Sequence, residues 1–372
     1  MRPRLAHPLS GRRAPVLVLA IIAAACAGCG TIDVAWLARQ GVGQAEVLFA
    51  SRPIARFLDD KDTPPTVRRR LALVMAARDF ARDDLGLDVK QQYRSVVFLN
   101  APAIVYVTSA APRTSLKPVT FDYPLVGALP YRGAYQLEEA ETFARELAAR
   151  GYDVSVRPVT TYSLLGLLPD PVLSSMLYAG DEAALVETVI HELAHATVFA
   201  AGQGAFNEGL ATFIGREGRR LFIERWFGQG SATALRASAL DRDEDAYAHA
   251  VAALAFDLRV LFAQEGTLSD DALLDEKNRI FLSHQRHWQV EVAPTLFSYR
   301  LRGARLPDNN AELSAFGIYT LKQHVYAEVY EGCRSDMRCL LAELRAVAKE
   351  ADPELALTER VRRATTTKRM LQ

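Results

Sequence analysis

The stretch His191-Glu192-Leu193-Ala194-His195 lies within residues 182–201, a segment rich in Ala, Leu and Val that contains no proline. This composition favours an α-helix. At 3.6 residues per turn, His191 and His195 project from the same side of that helix, one turn apart, so both imidazoles can bind one metal ion. Glu192 projects about 100° from His191, beside the metal, where a base can take a proton from metal-bound water.

A second segment offers a third ligand, which a catalytic zinc site needs in addition to one open position for water. Glu208 stands thirteen residues after His195 in a second helical pattern, and Gly202 and Gly204 favour a turn between the two stretches. The second helix is therefore expected to run antiparallel to the first and to present Glu208 to the same ion. An HExxH pattern can also arise by chance from buried or capped histidines, but such histidines usually lack a downstream acidic partner.

The two segments together predict a metallopeptidase with one Zn²⁺ per chain. His191, His195 and Glu208 are the predicted ligands, and Glu192 is the predicted general base. Peptide hydrolysis also needs a donor for the oxyanion that develops on the attacked carbonyl. Four residues outside the motif are candidates for this role: Tyr131, Arg132, Tyr162 and Tyr319. The alternative for each is a half-buried structural tyrosine or a surface arginine.

Residues 1–28 have the pattern of a signal peptide of the lipoprotein type. Four arginines precede an acid-free apolar run at 14–25, and small residues then lead to Cys29. The pattern resembles a bacterial lipobox and predicts lipidation of Cys29, with a plain cleaved signal peptide as the alternative. We therefore expect an exported protein at the periplasmic face of the cell envelope, anchored to the outer membrane by lipid.

Charge and cysteine content narrow the classes of partner. The 44 Lys and Arg residues balance the 44 Asp and Glu residues, so the chain has no basic field that could hold a nucleic acid. Outside the signal region the cysteines are Cys333 and Cys339, which in an exported protein either form a local disulfide or stay as free thiols. No pattern in the sequence specifies an oligomeric state.

Helical periodicity dominates the chain, and β-rich runs are short. The predicted helices cover residues 63–85, 137–150, 245–262, 270–290, 311–330 and 336–351, followed by a charged tail from Glu359. The predicted strands lie at 96–99, 104–107 and 152–156. These patterns predict a helix-rich α+β fold with a small β-sheet. Residues 29–372 are expected to form a single metallopeptidase unit, with a subdivision near residue 180 as the alternative.

The order of several motifs resembles that of a family of zinc aminopeptidases from Gram-negative bacteria, many of them predicted lipoproteins. The motifs that carry the resemblance are Tyr131-Arg132-Gly133, Thr161-Tyr162-Ser163, His191 to His195, Phe206-Asn207-Glu208 and Asn309-Asn310-Ala311. The resemblance runs from just after Cys29 to about Tyr330. It implies a zincin-like core, a peptide substrate, and Glu208 as third ligand on the Asn-Glu-x-x-Ala pattern of gluzincins.

Two departures from better-known enzymes restrict what this resemblance implies. The interval between His195 and Glu208 is shorter than in thermolysin-like enzymes and the best-known zinc aminopeptidases. The chain also lacks a Gly-x-Met-Glu-Asn segment of the kind that binds the substrate's free amine. The residues themselves therefore predict a metallopeptidase, and the label aminopeptidase comes from the family. The alternatives are an endopeptidase of envelope proteins or wall peptides and a lipoprotein that binds zinc or peptide without hydrolysing it.

Overall fold

The structure is a computed structural model, and it describes residues 34–99, 103–123, 127–159, 169–178, 180–320 and 323–370. The predicted signal peptide at 1–28, the predicted lipidation site Cys29 and the candidate Tyr162 lie outside the described residues. The chain divides into two units, residues 1–50 and 51–372. The described part of the first unit is helix α1 (Val34–Ala50). None of the described helices is long and apolar enough to cross a membrane.

Helices make up most of the second unit. In chain order they are α2 (Ile54–Asp59), α3 (Pro65–Phe80), α4 (Leu137–Ala149), α5 (Ser174–Tyr178), α6 (Glu182–Thr197), α7 (Gly204–Phe227), α8 (Ala232–Phe262), α9 (Asp270–His287), α10 (Tyr299–Arg302), α11 (Asn310–Thr320), α12 (Gln323–Gly332), α13 (Met337–Val347) and α14 (Pro353–Met370). Short π-helical turns extend α3 and α9 at Ala81–Leu85 and Trp288–Val292, and a 3₁₀ turn follows at Ala293–Thr295.

The described strands are short and form three small sheets. They are β1 (Arg52–Pro53), β2 (Ser95–Val97), β3 (Val105–Pro112), β4 (Phe121–Tyr123), β5 (Gly127–Leu129), β6 (Arg132–Ala134), β7 (Tyr152–Val159) and β8 (Val172–Leu173). In the first sheet, β2 pairs with β1 in antiparallel and with β8 in parallel orientation. In the second, β3 lies between β6 and β7 and is antiparallel to both. The antiparallel ribbon of β4 and β5 is the third.

The helix-rich α+β class is thus confirmed, and three details of the prediction are wrong. The runs predicted at 96–99 and 104–107 belong to two different sheets, not to one small sheet. The helix predicted at 245–262 begins earlier, at Ala232. Its first half mixes alanine and leucine with charged residues and lacks the apolar stripe that marks a helix in sequence. The charged tail after Glu359 is also helical, as part of α14.

Helices α6 and α7 form the centre of the second unit and run antiparallel. Asp181 caps α6, since its side chain accepts a hydrogen bond from the N–H of Ala184 at 3.0 Å. The chain then turns at Gly202, where a positive φ of 74° favours glycine. The two helices approach so closely that a Cβ on Gly218 would lie 2.9 Å from Cγ2 of Ile190. Glycine at this position therefore permits the close crossing.

The described part of the second unit has two large apolar cores, in addition to a small cluster that joins α6, α7 and α8. The first joins α3, α6, α7, α12 and α13, and includes the fully buried side chains of Leu71, Leu193 and Phe222. The second joins α8, α9, α10 and α11 around the buried ring of Trp288, whose Nε1 donates to the carbonyl of Ala304 at 2.8 Å. Both helices that carry the predicted ligands therefore contribute side chains to the first core.

Cys333 and Cys339 form a disulfide, which decides between the two alternatives that the sequence left open. Their Cα atoms are 5.7 Å apart. The bond closes the turn between α12 and α13, and Asp336 caps α13 there by accepting from the N–H of Cys339 at 2.8 Å. Helices α12 and α13 pack with α7 in one apolar core, so the disulfide stabilises a turn between two helices that contact the central pair.

The start of α7 is held under α12 by a buried tyrosine. The hydroxyl of Tyr326 donates to the carbonyl of Phe206 at 3.1 Å, and a Cβ on Gly209 would lie 2.7 Å from that hydroxyl oxygen.

We predict that Gly209→Ala lowers the free energy of unfolding, because an overpacking cost of up to about 3 kcal/mol exceeds the helix-propensity gain of about 1 kcal/mol. Chemical denaturation measures this loss.

Gly332→Ala is the matched control, because no atom lies within 4 Å of a Cβ at that position and its stability should not fall. Tyr326→Phe in the Gly209→Ala background removes the nearest clashing atom and should recover part of the loss. A Gly209→Ala protein as stable as the wild type would contradict the close packing of α7 against Tyr326.

Candidate metal centre

Helices α6 and α7 bring together the three side chains that the sequence predicts as metal ligands. The Nε2 atoms of His191 and His195 are 3.2 Å apart. Oε2 of Glu208 lies 3.4 Å from the first and 3.5 Å from the second. Among the described His, Cys, Asp and Glu residues, these three form the one group whose ligand atoms all lie within 4.8 Å of one another.

These distances fit a shared metal ion. Nitrogen and oxygen ligands at about 2.0–2.1 Å from a tetrahedral zinc lie about 3.3–3.4 Å apart, close to the 3.2–3.5 Å seen here. The two nitrogen–oxygen distances, 3.4 and 3.5 Å, are longer than good hydrogen bonds. In the neutral form that binds a metal, imidazole nitrogens that face a carboxylate oxygen through their lone pairs repel it. A cation between the three atoms removes that repulsion. The donor set of two imidazoles and one carboxylate is the kind that binds zinc and similar divalent ions.

The electrostatics of the group keep the carboxylate ionised. Burial alone would raise the pKa of Glu208, but the neighbouring His195 and His191 hold it far below its usual range. Burial would lower the pKa of His191, but its contact with Glu208 and the charge of Glu192 raise it. The site therefore holds Glu208 in the ionised form that a metal ligand must have.

Glu192 lies in the same turn of α6 as His191 and is buried, with 9 % of its surface exposed. Its negative charge acts on the His191 ring. Within the described part of the chain, its carboxylate makes no hydrogen bond or ion pair. A carboxylate held beside the ligands without a competing partner is available to accept a proton.

Asn207 fixes the turn that leads to Glu208. Its Oδ1 accepts from the N–H of Ala200 at 2.8 Å, and its Nδ2 donates to the carbonyl of Ala200 at 2.8 Å. The side chain is buried, and both polar atoms of its amide form hydrogen bonds with the backbone of Ala200 in place of water. The sequence offered one signal for this role, the position of Asn207 directly before Glu208, but its partner could not be read from the pattern.

The four candidate oxyanion donors either form contacts elsewhere or have side chains outside the described residues. The guanidinium of Arg132 lies over the ring of Phe143 at 4.4 Å, and the carbonyl of Tyr131 accepts from the hydroxyl of Tyr123 at 2.8 Å. The first contact joins β6 to α4 and the second joins β4 to the residue before β6, so neither of them is a contact with the three predicted ligands. Tyr319 lies in α11, but its side chain is outside the described residues.

The ribbon of β4 and β5 nevertheless packs on the turn between α6 and α7. A Cβ on Gly127 would lie 2.9 Å from the backbone nitrogen of Gly202. Pro130 lies beside Gly204, since its Cδ would be 3.7 Å from a Cβ there. The segment that precedes Tyr131 thus reaches the loop that connects the ligand-bearing helices.

Comparison with known proteins gives a family match. The model of a family described as "Putative aminopeptidase" matches residues 35–356, a range that contains both ligand-bearing helices. No curated protein and no solved structure matches the chain. Because the family match covers most of the sequence, the chain belongs to this family of putative aminopeptidases.

Proposed function

We propose that this protein is a zinc-dependent peptidase whose metal is held by His191, His195 and Glu208, and that it removes residues from the N-termini of peptides. One observation carries the metal site, namely the convergence of three ligand atoms from α6 and α7 at 3.2–3.5 Å. The family description supports peptide-bond hydrolysis and favours an aminopeptidase.

The chain supplies the metal ligands and the general base that such a reaction needs. His191, His195 and Glu208 would hold a zinc ion, which would supply the Lewis acidity that activates water and polarises a peptide carbonyl. Glu192 accepts the proton from the attacking water and then delivers it to the leaving amine. Burial of Glu192 and His195 keeps this proton transfer in a region of restricted water access.

The available carboxylate of Glu192 favours hydrolysis over the binding-only alternative, because a protein that only binds zinc or peptide needs no base beside the metal. The endopeptidase alternative differs from the aminopeptidase in one chemical requirement. An aminopeptidase recognises the free α-ammonium group of its substrate, whereas an endopeptidase does not. Substrates with free and blocked N-termini therefore separate the two.

We predict that the purified chain binds one zinc ion and that zinc raises its melting temperature. Free zinc at a hundred times the dissociation constant should add about 2.7 kcal/mol to the free energy of unfolding. His191→Ala, His195→Ala and Glu208→Ala should each lose the bound metal and most of this gain. Metal analysis by mass spectrometry and thermal unfolding with and without a chelator measure both effects.

The matched control for the ligand variants is His249→Ala, because His249 is an exposed histidine on α8. It should keep one zinc ion and the full thermal shift. Stoichiometric zinc in all three ligand variants would show that the metal binds elsewhere on the chain.

We further predict that Glu192→Gln keeps zinc but lowers peptide turnover by at least about 100-fold, the usual contribution of a general base. Peptides offered both free and N-acetylated, with products identified by mass spectrometry, measure this loss. Release of single N-terminal residues from the free peptides alone is the expected wild-type result. Glu182→Gln is the control, since Glu182 lies at the surface end of the same helix beside Arg69.

Internal cleavage of both the free and the N-acetylated peptides would contradict an aminopeptidase and identify an endopeptidase. Zinc binding without any cleavage that depends on Glu192 would contradict hydrolysis and favour the binding-only alternative.

A further inference from the structure

A buried arginine joins the two ligand-bearing helices to α8. Arg219 lies on α7, eleven residues after Glu208, and 4 % of its surface is exposed. Its Nη1 pairs with Oε2 of Glu187 on α6 at 3.1 Å. Its Nη2 pairs with Oδ1 of Asp241 on α8. One guanidinium therefore connects three helices through a planar, directional pair of contacts.

This contact lies next to the metal ligands. Glu187 is one helical turn before His191 and on the same side of α6. A Cβ on Gly215 would lie 3.1 Å from Cβ of His191 and 3.2 Å from the carbonyl oxygen of Glu187. Helices α6 and α7 are thus in close contact at His191 and Gly215, with the Arg219 contact on one side of this point and Glu208 on the other.

The charges around Arg219 make its cation necessary for this arrangement. Burial lowers the pKa of Arg219, but Glu187 and Asp241 more than offset this and raise it, so the guanidinium stays charged. Loss of the cation leaves Glu187 and Asp241 as two partly buried carboxylates with no positive charge between them. Arg216 cannot fully replace it, because Arg216 already pairs with Asp245 at 2.9 Å and lies 3.7 Å from Asp241. Removal of one partner from a buried ion pair strongly destabilises a protein, because the other charge stays buried without compensation.

We propose that Arg219 is a positioning residue for the metal centre. By holding Glu187 and Asp241, it fixes the register of α6 on α7 in which His191 and His195 meet Glu208. This proposal rests on the metal site of the proposed function, and it concerns a residue that touches neither metal nor substrate. Groups that orient metal ligands typically change metal affinity by about 10–100-fold when they are removed.

The test is the zinc affinity of the full-length chain, measured by competition with a chromophoric chelator. Arg219→Met should weaken zinc binding by about 10–100-fold. Lys277→Met is the matched control, because Lys277 is another buried cation, 4 % exposed, that pairs with Asp153 in a different part of the fold. It should lower the melting temperature of the metal-free protein as Arg219→Met does, but leave the zinc dissociation constant unchanged.

Two further variants keep the test decisive if Arg219→Met does not fold. Glu187→Gln retains the shape of the contact and removes one charge, and it should weaken zinc binding measurably. The double variant Arg219→Met with Glu187→Met removes the unpaired carboxylate as well, so it should fold, and it should bind zinc less tightly than the wild-type chain.

Wild-type zinc affinity in both Arg219→Met and Glu187→Gln, or an equal loss of affinity in Lys277→Met, would overturn the proposal. None of these measurements needs peptide cleavage. If the wild-type protein binds zinc but cleaves no peptide, the proposed hydrolysis fails while the affinities still decide the role of Arg219.

Discussion

The close antiparallel crossing of α6 on α7 is the constraint on which the rest of the site depends. Gly215 and Gly218 have no side chain in the contact, so the backbone of α7 can approach His191 and Ile190. At this separation a histidine pair on one helix and a carboxylate on the other reach the same point. A larger helix separation would leave the same residues in the sequence but without a common centre.

The crossing also brings several titratable groups together. Two imidazoles and the carboxylates of Glu208 and Glu192 share a partly buried region. The surrounding apolar core and the clamp of Asn207 on Ala200 hold them in place. Such a centre links metal binding to folding, because the ion stabilises only the state in which the ligands are assembled.

The sequence predicted those parts of this architecture that depend on local pattern. The helices around His191 and Glu208 were predictable because helical composition and the turn glycines are visible in a short window. The division of the strands into separate sheets was not, because strand pairing joins residues far apart in the chain. The first half of α8 was missed because it mixes alanine and leucine with charged residues and shows no apolar periodicity. Asp241, which lies there, pairs with Arg219 of α7. The role of Arg219 could not be predicted from the sequence either, because its partners Glu187 and Asp241 lie on two other helices. The signal peptide and the lipidation of Cys29 stay predictions from sequence.

The central claim is that one metal ion is bound by both histidines of α6 and the glutamate of α7. The most direct measurement is a crystal structure of the zinc-loaded protein with anomalous data collected on both sides of the zinc absorption edge. We expect one anomalous peak bonded to Nε2 of His191, Nε2 of His195 and the carboxylate of Glu208, with Glu192 beside it and unbound. A peak at any other group of residues, or an ion that lacks Glu208 as a ligand, would contradict it.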